Sequence, residues 1–167
     1  LLTRLGIAIA AQKRLAEALH CYQQALVLDR DHAEAWTQMG ITFFLRNDPG
    51  SAEQALQTAI SLNAEDTSAL RHLALVSLRM GNHPGAAAHF ERLLILTPDD
   101  EHSRLDLAVI LLSSQQADLA LQHLGAINST LRESSKFRFY HGLALQQSGA
   151  HEQGDALLRE LAKLQTD

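Results

Sequence analysis

The sequence predicts an all-α protein built from a repeated pair of antiparallel helices, and three observations carry that prediction. Only three prolines, Pro49, Pro84 and Pro98, interrupt the 167 residues, so long stretches lack the residue that removes interior helical hydrogen bonds. Ala, Leu, Gln and Glu dominate between the breaks, and apolar residues recur three and four apart, as in Leu70, Leu73, Ala74 and Leu78. That spacing gathers them on one helical face, and strand-like alternation is missing. The third observation is a period of 34 residues in the placement of small and large side chains.

Stop and start signals divide the chain into ten predicted helices over about 1–12, 16–29, 34–46, 50–62, 68–80, 85–96, 102–114, 118–128, 136–148 and 152–164. Within Asn47-Asp48-Pro49-Gly50, Asp48 is the expected N-cap acceptor, with Pro49 at the first helical site, where a missing N–H costs nothing. Gly81-Asn82 suits a left-handed helix stop before a restart near Pro84. Thr97-Pro98-Asp99-Asp100 ends one helix and supplies carboxylates to the positive end of the next. Glu65-Asp66 is expected to do the same between two other helices.

Stepping by 34 from Gly6 gives Gly40, Ala74, Ala108 and Gly142, all small. The same step from Ala18 gives Ala52, Ala86, Ala120 and Gly154, and from Tyr22 it gives Leu56, Phe90, Leu124 and Leu158. A further column, Ala25, Ala59, Leu93, Ile127 and Leu161, is apolar throughout. Close packing explains the pattern: a small residue on one helix lets its neighbour approach, and a large one fills the remaining space.

These columns resemble the tetratricopeptide repeat family over essentially the whole chain. The second unit matches through Trp36, Met39, Gly40, Phe43, Ala52, Leu56 and Ala59, and the third through Leu70, Leu73, Ala74, Ala86, Phe90, Leu93 and Pro98. Arg30, Ala64 and Arg132 stand where the family closes a unit with proline, and Arg138 stands at the position of Trp36. The resemblance implies a right-handed superhelical α-solenoid, a single array of five units near 1–32, 33–66, 67–100, 101–134 and 135–167, with Trp36 in the core. The first unit begins partway into its first helix, and the opening Leu1-Leu2-Thr3 lacks Met and a charged leader, so the chain reads as a piece of something longer.

Composition narrows the function classes. Fourteen Lys and Arg against nineteen Asp and Glu give a net charge of −5, which supplies no basic excess to displace counterions from nucleic-acid phosphates. The longest apolar run, Leu107 to Leu112, is six residues, against about 20 for a membrane-spanning helix. The lone Cys21 excludes an intrachain disulfide and is compatible with cytoplasm or periplasm. Nine histidines include no pair four apart on one predicted helix, so no metal is expected, and none of GxxxxGK[ST], GxGxxG or GxSxG occurs. No catalytic residue and no cofactor is expected. Asn128-Ser129-Thr130 fits the glycosylation sequon, a triplet common by chance.

The resemblance places the first helix of each pair along a concave groove for a partner protein or peptide. Once the core columns fix each helix's rotation, the groove residues are Arg4 and Ile7, then Thr37, Gln38, Ile41 and Phe44, then Arg71, His72, Leu75, Leu78 and Arg79. His102, Asp106, Val109 and Leu112 follow in the fourth unit, and Lys136, Tyr140 and Leu143 in the fifth, with Phe139 beside them. Ile7, Ile41, Phe44, Leu75, Leu78, Val109, Leu112 and Leu143 would form an apolar strip, flanked by Arg4, Arg71, Arg79 and Lys136 that select acidic segments. Relatives that clamp a terminal carboxylate carry Lys and Asn where this chain has Thr3, Thr37 and Arg71 or Ile7, Ile41 and Leu75. Relatives that transfer sugars carry an Asn ladder where this chain has Arg4, Gln38, His72, Asp106 and Tyr140. Both subtypes are therefore disfavoured. The expectation is a non-enzymatic protein-interaction scaffold; the alternatives are a self-associating homo-oligomer or a recruitment domain of a larger enzyme or assembly factor.

Overall fold

The computed structural model describes residues 1–163. Its described residues form ten α-helices, a short 3-10 turn and no strand: α1 (Leu2–Ala11), α2 (Leu15–Leu28), α3 (Ala33–Leu45), α4 (Pro49–Leu62), α5 (Thr67–Arg79), α6 (His83–Leu96), α7 (Glu101–Ser113), α8 (Ala117–Gly125), the turn Thr130–Glu133, α9 (Ser135–Gln147) and α10 (His151–Lys163). The fold is all-α, as predicted. The last position of the predicted helix 152–164, like the end of the fifth predicted unit, lies outside the described residues.

The helices cluster into two compact units, α1–α6 from Leu1 to Leu96 and α7–α10 from Thr97 onward. In the first unit α1 packs on α2, α3 on α4 and α5 on α6, while α3 also touches α1 and α5. The odd-numbered helices thus lie side by side and share a face. In the second unit α7 packs on α8 and α9 on α10, and α7 again touches α9.

The small columns sit where the helices of a pair cross. Ala18, Ala52, Ala86 and Ala120 are wholly buried. A Cβ added to Gly40 would lie 2.5 Å from Leu56 Cγ and 3.2 Å from the Ala52 carbonyl oxygen, and one added to Gly142 would lie 2.9 Å from Leu158 Cγ. Gly6 stands in the same relation to the Tyr22 ring. The absent methylene is what permits these approaches. Trp36 packs against the core as expected but is only half-buried: its Nε1–H donates to the Arg30 carbonyl at 2.8 Å, and it lines an open cleft of about 550 Å³ with Met39, Phe43, Leu26 and Val27.

Two further columns place the helix ends. Positive φ occurs, among the described residues, at Lys13, Asn47, Gly81, Gln115 and Gly149, one per helix pair and 34 apart. Each residue turns the chain from one helix of a pair into the next. Asp66, Asp100 and Ser134, also 34 apart, cap α5, α7 and α9 by accepting from Ala69, Ser103 and Phe137 N–H groups at 2.9, 3.2 and 3.2 Å. Asp48 caps α4 through Ser51 N–H at 3.1 Å, with Pro49 first in the helix. Asn82 accepts from Gly85 N–H at 3.0 Å, so α6 starts at His83, two residues before the predicted 85.

The helix predicted to reach residue 128 stops at Gly125. The Glu101 carboxylate accepts from the backbone N–H groups of Asn128 and Ser129 at 2.8 and 3.2 Å, drawing that segment to the start of α7 instead of continuing α8. The Ser129 hydroxyl, together with these two backbone N–H groups, holds Glu101 below the usual carboxylate range.

The left-handed column yields a stability prediction. An L-residue in that region costs about 1–2 kcal/mol, and glycine returns about 0.5–1 kcal/mol of that in unfolded-state entropy. Lys13→Gly and Gln115→Gly are each expected to raise stability by about 0.5–1 kcal/mol, and Gly81→Ala to lower it by about 1 kcal/mol, in urea denaturation followed by circular dichroism.

Candidate functional site

In the first unit the shared face of α1, α3 and α5 gathers most of the sequence-predicted groove residues. Ile7, Gln38, Ile41, Phe44, Arg71, His72, Leu75 and Leu78 are half-buried there, and Arg4 and Arg79 are exposed. Ile41 and Phe44 follow one turn apart on α3, as do Leu75 and Leu78 on α5, so two apolar pairs stand on adjacent helices.

Thr37 does not belong to the open face. It is 2% exposed, and its hydroxyl lies 2.6 Å from Asp66 Oδ2 and 3.2 Å from the Ala33 carbonyl oxygen, to which it can donate in turn. The N-cap of α5 thereby holds α3. Leu112 is likewise a core residue, at 3% exposure. Neither presents a side chain to a partner.

The end of the face is organised by Arg79. Its guanidinium carbon lies 4.0 Å from the Phe44 ring centroid, a cation–π stack. Its Nη1 donates to the Phe44 carbonyl at 3.1 Å and to Asn47 Oδ1 at 3.2 Å. Arg79 closes the last turn of α5 and bonds a carbonyl in the last turn of α3, both places where the helix dipole favours a cation. Asn47 escaped the sequence analysis as a functional residue; the signal was its place in the turn, where the left-handed backbone at φ 63° carries its side chain.

His72 meets the same ring edge-on, with centroids 6.3 Å apart. Its Nδ1 lies 2.8 Å from the Ser68 carbonyl oxygen. A carbonyl only accepts, so Nδ1 carries the proton. Burial, and secondarily the Arg71 charge, push the His72 pKa below its ordinary 6.5, so at neutral pH the ring is uncharged and Nε2 is an acceptor.

In the second unit α7 and α9 bring the remaining predicted residues onto one side. Lys136 Nζ donates to Asp106 Oδ1 at 2.7 Å, an ion pair within the unit that leaves both groups partly exposed. Phe139 and Tyr140 form an edge-on pair 5.2 Å apart, with Phe139 45% exposed. Val109 and Leu143 are half-buried and His102 is exposed. The first unit therefore offers the more apolar and more cationic of the two surfaces.

Among the described residues no group of three or more His, Cys, Asp and Glu is placed to hold a metal, and no helix is long and apolar enough to cross a membrane. Cys21 is buried.

A stack of helix pairs with small residues at every crossing and one left-handed turn per pair defines a helical-repeat protein. Sequence comparison makes the family specific: models described as tetratricopeptide repeat match residues 37–101 and 77–138, and one described as TPR repeat matches 6–47. The chain belongs to the tetratricopeptide repeat family. It is 27% identical over 108 residues to the tetratricopeptide repeat-containing protein trd-1 of Caenorhabditis elegans, covering 63% of this chain and 14% of that protein. It is 23% identical over 163 residues to the Homo sapiens protein O-mannosyl-transferase TMTC3, covering 95% of this chain and 18% of that protein. The chain thus spans less than a fifth of either relative. Among solved structures, YrrB, described as a TPR protein with an unusual peptide-binding site, superposes with a TM-score of 0.89 at 19% identity, covering 99% of this chain and 86% of that one.

Proposed function

We propose that the chain is a non-enzymatic protein-interaction module whose α1–α3–α5 face receives a peptide or helix of a partner protein. The observation that carries this reading is the placement of Ile7, Ile41, Leu75 and Leu78, half-buried on three adjacent helices while the wholly buried columns already fill the helix crossings. Apolar side chains left at such a face gain their remaining burial from a ligand. Membership of a repeat family whose arrays bind proteins supports the reading, as does the likeness to YrrB. Gln38 and His72 supply polar contacts on the same face, and Arg4 and Arg71 supply charge. In the second unit, taken by itself, Val109, Tyr140 and Leu143, with His102 and the Asp106–Lys136 pair, form a separate proposed contact set.

The test is selection of ligands from a random peptide library displayed on phage, followed by affinity measurement on synthetic peptides by fluorescence anisotropy. Peptides that bind the native chain are expected to lose 10-fold to 100-fold in affinity for an Ile41→Gln/Leu75→Gln double variant, because each buried anchor contributes on the order of 1 kcal/mol or more. Circular dichroism should show the helices intact. Equal binding to both proteins, or no selectable peptide, would overturn the assignment.

A second reading has one observation in its favour, the similarity to a relative named as a protein O-mannosyl-transferase. Within such a larger protein the same face would hold acceptor polypeptides for a catalytic part elsewhere, and the selected peptides would then be substrates of that part.

A further inference from the structure

The stacked guanidinium of Arg79 has an edge that the protein itself does not use. Nη1 carries two hydrogens, and the Phe44 carbonyl and Asn47 Oδ1 take them both. The Nε–H and the Nη2 hydrogen parallel to it, along the opposite edge, have no partner among the described residues. Two parallel N–H groups of this kind match the two oxygens of a carboxylate. The Phe44 ring fixes the plane of the group and Asn47 fixes its rotation, so little side-chain freedom is left to lose on pairing.

The helices of this face carry more cations than carboxylates. Helices α1, α3 and α5 hold Arg4, Arg71 and Arg79 against Glu34, and the nearby Asp48 and Asp66 are engaged as the N-caps of α4 and α5. This cationic face belongs to a chain of net charge −5, whose surplus carboxylates lie on the other helices and the loops. Leu75 and Leu78 lie within a turn of Arg79 on α5.

Resting on the reading of this face as the docking face, we propose that its partner is an acidic segment, and that Arg79 selects it by pairing side-on with an Asp or Glu carboxylate while a neighbouring apolar side chain of the partner packs on Leu75 and Leu78. Arg79 is then the residue that sets specificity, and Asn47 and Phe44 position it. Selectivity arises because a neutral or basic residue at that place leaves the two N–H groups unpaired or repelled.

The library selection is repeated on Arg79→Gln and Arg79→Glu baits, and the best acidic peptide is remade with its Glu or Asp changed to the amide. Peptides from the native chain should be enriched in Asp or Glu beside apolar residues. Arg79→Gln should weaken the acidic peptide at least 10-fold and its amide counterpart less than 2-fold, and Arg79→Glu should shift the enrichment to Lys and Arg. Arg79→Lys, which keeps the charge but neither the fork nor the stack, should recover only part of the loss. Phe44→Leu frees the guanidinium without touching its charge and should also weaken the acidic peptide more than the amide. Peptides that depend on Ile41 and Leu75 yet show no acidic enrichment, or an acidic preference that survives Arg79→Gln, would overturn this proposal and leave the docking face standing. Ligands indifferent to Ile41 and Leu75 would overturn both.

Discussion

Gly40→Leu is expected to destabilise the first unit by about 3 kcal/mol or more, and Leu56→Ala by about 2–5 kcal/mol. The two residues occupy one space. Leu56 is wholly buried, and even the first carbon of a side chain at 40 would stand 2.5 Å from its Cγ and 2.9 Å from its Cδ2. Overlap on that scale moves α3 away from α4, since the Ala52 carbonyl oxygen, a backbone atom, also lies only 3.2 Å from that carbon. Leu56→Ala leaves a void at the same crossing. The double variant Gly40→Ala/Leu56→Ala should consequently cost less than the sum of its singles, the added methyl entering the space that the leucine left. Urea denaturation of the four proteins, followed by circular dichroism, measures the coupling. Strict additivity would show that the two positions do not share the space.

Asp66→Ala is expected to cost about 2–4 kcal/mol, more than an ordinary helix cap. Loss of the N-cap bond to Ala69 N–H contributes about 1 kcal/mol, and loss of a hydroxyl bond to an ionised carboxylate about 1.5–3 kcal/mol. The second term arises because Thr37, buried on α3, has its hydroxyl 2.6 Å from Asp66 Oδ2. Its remaining acceptor, the Ala33 carbonyl, is at 3.2 Å. Asp66→Asn keeps a side-chain oxygen for the cap and should lose less. A cycle with Thr37→Val separates the two contributions, and zero coupling between positions 37 and 66 would refute the cross-helix role.

Much of the fold was legible in the residues because its causes are local. Proline positions, capping carboxylates and three- and four-residue apolar spacing act within a helix or its first turn, so α4 starts where Asp48 and Pro49 require. The 34-residue columns extended that legibility to the helix crossings, since a small residue repeated at one place implies the same close approach each time. The column of left-handed turns was present in the letters too, but Lys13 and Gln115 hid it, because only Gly81, Gly149 and, more weakly, Asn47 advertise a positive φ.

The candidate site was legible in outline and not in its pairings. Helical rotation alone brought Ile41, Phe44, Leu75 and Leu78 to one face. Thr37 and Leu112 share that rotation and are nevertheless buried, for rotation about one helix axis says nothing of what a neighbouring helix or loop sets on top. Arg79 and Lys136 read alike in sequence as flanking cations. Tertiary contacts separated them: Lys136 is paired with Asp106, 30 residues away, while Arg79 is fixed on Phe44 and Asn47 with an edge unspent, 35 and 32 residues away. The helices, their order and the side most of them turn inward follow from the residues alone, because backbone hydrogen bonding and apolar burial act over a few residues. Which polar groups are consumed inside the protein depends instead on distances between helices, which no local pattern encodes.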